Sequence, residues 1–205
     1  MKNLIFKETL QAIEAINKLK EEKALNFMQK AAEMITNCFN SNGKIIIAGN
    51  GGSMCDSTHF AEEFTGFFRR RDRKPLPAIA LCEAGHLTCV SNDQGFDYVF
   101  SRPVEALMNE NDIFIALTTS GNSNNLINAV KAAREKKGRV ISFLGKTGGL
   151  LKGLSDIEWI VDGFETSDRI QEAHMAAAHI IIEAVEQAIY SPKKILESLK
   201  EKACL

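Results

Sequence analysis

The chain has 205 residues, with 25 Lys and Arg against 26 Asp and Glu and a formal net charge of −1, a length that suits one compact domain better than two. Hydrophobic residues make up 45% and charged residues 25%, an ordinary globular balance with enough apolar material for a real core. A net charge so near zero argues against a general nucleic-acid or membrane-surface binder, so any anion site must be local.

Residues 4–39 read as helix. Leu10, Ile13, Ile16 and Leu19 form one helical stripe, and Met28, Ala31, Met34, Ile35 and Cys38 form another after the polar break Lys20–Lys23. The segment Met1–Lys7 has no long apolar run, and nothing later approaches the length of a membrane span. The five cysteines, Cys38, Cys55, Cys82, Cys89 and Cys204, are odd in number, scattered and without a C-x-x-C pair. Neither a disulfide framework nor a thiolate zinc site is indicated, and a reduced, cytoplasmic setting is expected.

Beyond the helical prefix the period changes. Short apolar runs, rich in β-branched residues, occur at 44–48, 78–82, 113–117, 140–144 and 157–161, with helical patterns such as 126–137 between several of them. Strands apolar on both faces and alternating with helices imply a parallel sheet covered on both sides. The expected architecture is a three-layer α-β-α sandwich of α/β class with a parallel five-stranded sheet. One domain over 1–205 divides into a helical prefix (1–40), the sandwich (41–190) and a C-terminal extension (191–205), where Ser191-Pro192 would open a short helix. The final helix, 168–190, is apolar nearly all round from Met175 to Val185 and is expected to be buried, in a chain this small against other subunits.

Two strand-to-helix loops invite a phosphate. In Gly49-Asn50-Gly51-Gly52-Ser53 the glycines let backbone approach an anion at the start of a helix; the spacing is neither a Walker loop nor G-x-G-x-x-G. In Thr118-Thr119-Ser120-Gly121-Asn122-Ser123, four hydroxyls and a glycine precede a helix. One helix cap needs one hydroxyl, so four favour a neutral phosphate cradle. Ligands of open α/β sheets sit beyond the carboxyl ends of the strands, where both loops lie.

These loops, together with His59-Phe-Ala-Glu-Glu63, Asp168-Arg-Ile-Gln-Glu172 and His179, resemble the phosphoheptose isomerases of the sugar isomerase (SIS) superfamily, over nearly the whole chain. The resemblance implies a flavodoxin-like SIS fold and a homotetramer with active sites between subunits. It also implies one Zn2+ per subunit and conversion of D-sedoheptulose 7-phosphate to D-glycero-D-manno-heptose 7-phosphate. That reaction is the first step towards the nucleotide-activated heptose of bacterial surface polysaccharides, lipopolysaccharide or capsule. Carried over by position, the metal ligands fall on His59, Glu63, Gln171 and His179. The substrate contacts fall on Asn50, Gly51, Gly52, Ser53, Glu63, Asn92, Asp93, Thr118, Thr119, Ser120, Ser123 and Gln171. Met54 stands where the family pattern has a histidine.

His59 and Glu63 are four apart and share a helix face, and Gln171 and His179 are eight apart, about 80° round an ideal helix. Aldose–ketose isomerisation needs a base for a carbon acid, an electrophile on the carbonyl and a proton shuttle. Glu63 is read as the base, His179 as the complementary acid/base, and Asp168 as the group that orients His179 or relays a proton. His174 is read as a supporting or interface residue, and His86 as unconnected. The basic run Arg69–Lys74 is read as a solvated loop. The competing readings are a non-catalytic SIS-fold regulator that binds a replication initiator, and an isomerase of arabinose 5-phosphate.

Overall fold

The computed structural model describes residues 1–191, so the expected extension, with Pro192 and Cys204, lies outside the described residues apart from Ser191. Two helices come first, α1 (Lys2–Asn17) and α2 (Glu22–Asn40), parted by a 3₁₀ turn at Lys18–Lys20 where the polar break was expected. There follow β1 (Ile45–Gly49), α3 (Gly52–Thr65), β2 (Ala78–Ala80), α4 (Ala84–Asp93) and α5 (Ser101–Leu107). The chain continues through β3 (Ile113–Thr118), α6 (Asn124–Glu135), β4 (Arg139–Gly145), β5 (Ile157–Val161) and α7 (Ser167–Tyr190).

The five strands form one parallel sheet in the order β2-β1-β3-β4-β5. Alternation along the buried strands divides the core in two. Ile45 and Ile47 of β1, with Ile113, Ile115, Phe143 and Trp159, pack under α2, α3 and α7. Ile46 and Ala48, with Phe114, Ala116, Val140 and Leu144, pack under the α4–α6 side. The result is the three-layer sandwich that the continuous apolar strands imply. Met54 packs against this second layer, so the residue that departs from the family pattern is a packing residue here.

A single chain leaves two apolar faces uncovered. The α1 stripe exists but faces outward: Leu10, Ile13 and Ile16 are 50%, 52% and 46% exposed, whereas Ala15 and Leu19 are buried. The inward side of α1 meets α7 through the small Ala15, which leaves the large side chains without a partner in one chain. Likewise α7 is buried where it meets the sheet, α1, α2 and α3, whereas Ile180 is 48% exposed. A groove of about 580 Å³ between α2 and α7 is lined by Leu25, Met28, Ala32, Ile180 and Ala184.

His174, read as a supporting or interface residue, lies in the core of its own chain. It is 1% exposed, its Nε2 lies 2.9 Å from the Leu144 carbonyl oxygen, and it packs edge-on to Phe143 at 5.7 Å between ring centroids. Burial, opposed only by the Leu144 hydrogen bond, lowers its pKa from 6.5 to about 4. The unfolded chain then binds more protons between those values, so the stabilising effect of neutral His174 is complete above pH 6.5 and is lost as pH falls towards 4. Denaturant unfolding across that interval should therefore show the wild type losing more stability towards acid than a variant without this imidazole. His174→Gln should flatten that acid limb, and an unchanged limb would refute the assignment.

Candidate active site

β1 and β3 are adjacent, with Gly49 beside Leu117 in register, so the loops that follow them leave the same edge of the sheet. Between them is a cavity of about 430 Å³. Asn50, Gly51, Gly52 and Ser53 line it from the first loop, Thr118, Thr119, Ser120 and Ser123 from the second, and Ser167 and Gln171 from α7. No charged side chain lines it. The amino ends of α3, α6 and α7 all reach it through Gly52, Ser123 and Ser167. Their N–H groups and dipoles supply the positive potential that lysine or arginine gives elsewhere.

Ser123 occupies the N-cap position of α6 without making a side-chain cap bond, so capping does not account for this hydroxyl. The loop holds its own shape: Thr118 Oγ1 accepts the Gly121 N–H at 3.2 Å, and Ser120 Oγ accepts that of Asn122 at 3.2 Å. Both hydroxyls keep a proton to donate. Thr119 Oγ1 lies 3.0 Å from Ser167 Oγ, which ties the loop to α7. Asn50 exchanges two amide hydrogen bonds with Asn125, at 3.0 and 2.9 Å, which ties the first loop to α6. Asn125 and Ser167 were not read from the sequence; each fastens one loop to an element remote in the chain, and no local spacing marks that.

Gly52 makes room for Gln171: a Cβ there would lie 2.6 Å from Gln171 Nε2 and would push the amide aside. That nitrogen donates to Ser53 Oγ at 3.2 Å. Gln171 therefore belongs to the cradle. The other three expected metal ligands meet elsewhere: His59 Nε2 is 3.4 Å from Glu63 Oε1 and 3.4 Å from His179 Nε2, and ligand atoms of all three lie within 4.8 Å of one another. Gln171 instead turns its amide to Ser53 and the cavity. Its eight-residue separation from His179 leaves the two on neighbouring faces of α7 but about 12 Å apart along the axis. Angular periodicity is blind to that rise.

The cluster suits zinc. Two imidazoles and a carboxylate are preferred donors, and ligand atoms about 2.1 Å from a tetrahedral ion stand about 3.4 Å apart, the spacing seen here. Phe68 stacks on the His179 ring at 5.7 Å and 13°. Burial, then the neighbouring His59, holds the His179 pKa below its ordinary value, which keeps a ring nitrogen free to bind metal or accept a proton. One turn before His59, Asp56 has a buried Oδ2 without a hydrogen-bond partner, and burial pushes its pKa up to about 6 against the pull of His59.

Three expected residues lie apart from both centres. Asp168 is eleven residues from His179 on the same helix, about 16 Å along its axis, so it does not orient that ring. Its carboxylate pairs with Arg169 at 2.9 Å, and the Thr166 hydroxyl first, then Arg169, hold its pKa below the usual range. Asn92 and Asp93 are exposed at the end of α4, outside the lining of the cradle. His86 Nε2 lies 3.1 Å from the Val99 carbonyl oxygen. The basic run is not uniformly solvated, because Arg73 is buried.

Comparison with known proteins gives a match to the SIS domain family over residues 9–145. Among relatives, the phosphoheptose isomerase of Fusobacterium nucleatum is 48% identical over 87% of this chain and 91% of its own. That of Salmonella dublin is 46% identical over 90% and 96%. Among solved structures, the phosphoheptose isomerase of Neisseria gonorrhoeae superposes with a TM-score of 0.82 at 35% identity, covering 90% of this chain and 98% of its own. The one from Francisella tularensis gives 0.80 at 35%, covering 90% and 96%.

The loop makes a sharp prediction. Gly121 has φ +67°, and a Cβ there would fall 1.8 Å from the Gly148 carbonyl oxygen. Gly121→Ala should cost about 1–3 kcal/mol of stability and weaken inorganic phosphate binding measured by calorimetry. Unaltered phosphate affinity would show that the hydroxyl loop is not the cradle.

Proposed function

Since the chain belongs to the SIS domain family and, within it, to the phosphoheptose isomerases, we propose that it converts D-sedoheptulose 7-phosphate to D-glycero-D-manno-heptose 7-phosphate. The observation that carries this reading is that Gly52, His59 and Glu63 fall on one stripe of α3. A neutral anion cradle stands at the start of that stripe, and a cluster of acid, base and metal-ligand groups lies further along it. From Ser53 to His59 the axis advances about 9 Å, comparable to the span from phosphate to carbonyl in an extended seven-carbon sugar phosphate.

In this reading the hydroxyl loop and the helix amino ends hold the phosphate, and Gln171 holds sugar hydroxyls beside it. Glu63 takes the proton from C1 of the ketose. The C–H electron pair becomes the C1–C2 double bond of an enediol, and the C2 carbonyl oxygen gains a proton. Return of a proton to C2 and loss of the O1 proton leave the aldehyde at C1. His179, partly buried beside Phe68, carries the proton between the oxygens. His59, Glu63 and His179 would hold zinc, which when bound supplies Lewis-acid polarisation of the carbonyl. A tightly held carboxylate is a poor base, so Glu63 would have to be a weak ligand of any metal there in order to serve as the base.

The exposed apolar stripe of α1 and the α2–α7 groove support a homotetramer. Asn92 and Asp93, outside the cradle of their own chain, are then substrate contacts in a site completed between subunits. No helix among the described residues is long and apolar enough to cross a membrane, in keeping with a cytoplasmic enzyme that supplies heptose for surface polysaccharide. The relatives at 46–48% identity are named as isomerases, which gives the regulator reading no support.

Incubation with sedoheptulose 7-phosphate, followed by product identification, tests the proposal. Turnover should be lost on chelation and restored by Zn2+. No aldose product under any condition would overturn the activity, and chelator-insensitive turnover would overturn the metal assignment. Glu63→Gln and His179→Gln should each lower kcat about 10²- to 10⁴-fold, the usual contribution of a positioned acid or base. Either variant with near-normal kcat would remove that residue from the mechanism.

A further inference from the structure

Residues 66–77 connect α3 to β2, and their course is set by one buried ion pair. The side chains of Arg73 and Glu186 are 0% and 1% exposed. Glu186 Oε1 accepts from Arg73 Nε and, at 3.3 Å, from the Phe68 N–H. Its Oε2 accepts the N–H groups of Arg69 and Arg70 at 3.1 and 3.2 Å. Arg73 donates onward from Nη1 to the carbonyls of Phe64 and Lys74, at 2.9 and 3.1 Å, and from Nη2 to the carbonyl of Glu63.

Two of these bonds concern the site directly. Glu63 and Phe64 lie in the last turn of α3, whose carbonyls lack intrahelical partners, and the buried guanidinium caps them with charge of the favourable sign. The N–H bond from Phe68 fixes the residue whose ring lies flat on His179. An apolar pair of the same volume would fill this space at no electrostatic cost, but it would make none of these directed bonds to backbone.

We propose that the Arg73–Glu186 pair is a positioning device for the His59–Glu63–His179 cluster, pinning Glu63 through its carbonyl and holding Phe68 against His179. Neither residue touches the sugar; both act through the cluster. The inference rests on the reading of that cluster as the metal and proton-transfer site.

The experiment uses the full chain with Glu186→Gln, Arg73→Lys and Phe68→Leu. Asp112→Asn serves as a control, because it breaks another ion pair with a buried carboxylate, Lys44 to Asp112 at 2.5 Å, at the opposite end of the sheet. Zn2+ affinity of the metal-free proteins is read by competition with a chromophoric chelator. Melting temperature is read on the same samples, and kcat and KM for sedoheptulose 7-phosphate after reloading with Zn2+. Glu186→Gln and Phe68→Leu should weaken Zn2+ binding about 10- to 100-fold, as loss of groups that orient metal ligands does. They should lower kcat and leave KM unchanged, because the cradle is at the other end of the helix pair. Arg73→Lys, which keeps the charge but not the planar fork, should fall with them.

Asp112→Asn should lower the melting temperature yet keep wild-type Zn2+ affinity and kcat. Zn2+ affinity and kcat near wild type in Phe68→Leu and Glu186→Gln would overturn the proposal, as would losses matched by Asp112→Asn. Should Glu186→Gln fail to fold, Phe68→Leu decides. A wild-type chain that binds no Zn2+ refutes the metal reading instead, and the split between kcat and KM then decides the positioning role.

Discussion

Helices α3 and α7 lie side by side and run in the same direction, and that packing sets where each functional side chain comes to rest. Gln171 touches Gly52 and Ser53 at the start of the pair. His179 meets His59 and Glu63 further along, and Glu186 receives the loop that leaves the end of α3. The two helices thus form three successive rungs: a polar cavity at helix amino ends, the His59–Glu63–His179 cluster, and a buried ion pair. Antiparallel packing of the same helices would place Gln171 beside the α3 terminus and scatter all three.

The parallel sheet supplies the first rung by a different constraint. Because β1 and β3 are neighbours pointing the same way, their following loops must emerge together, and three helix amino ends converge on one cavity. Each helix end contributes only about 0.3–1 kcal/mol towards an anion. Hydroxyl and backbone donors supply the rest without a formal positive charge. Such a site suits a phosphorylated metabolite that must be released on every turnover, and it is compatible with a chain whose net charge is −1.

The fold spends buried charge sparingly. Arg73 and Glu186 are removed from water together, with all four lone-pair directions of the carboxylate and four of the five guanidinium N–H groups engaged, close to the condition under which a buried pair is tolerable. His174 takes the other route open to a buried titratable group and remains neutral in the core.

The sequence by itself determined the strands, the helix break and the two strand-to-helix loops that line the cavity. Those features are local: β-branched runs, glycines and hydroxyls act on their own neighbours, and a parallel α/β sheet follows from strands apolar on both faces. The His59–Glu63 pair was legible for the same reason, as a single turn of helix. Only the tertiary structure decided that His179 joins that pair while Gln171 joins the cradle. Helical angle is written in the sequence spacing, but the partner at each height along α7 is set by how α3 packs beside it. Asp168 failed as a partner of His179 for that reason, separated by rise rather than by rotation. Arg73 was hidden among exposed arginines because its burial depends on Glu186, 113 residues later. Pairing of that kind has no period, so only folding reveals it.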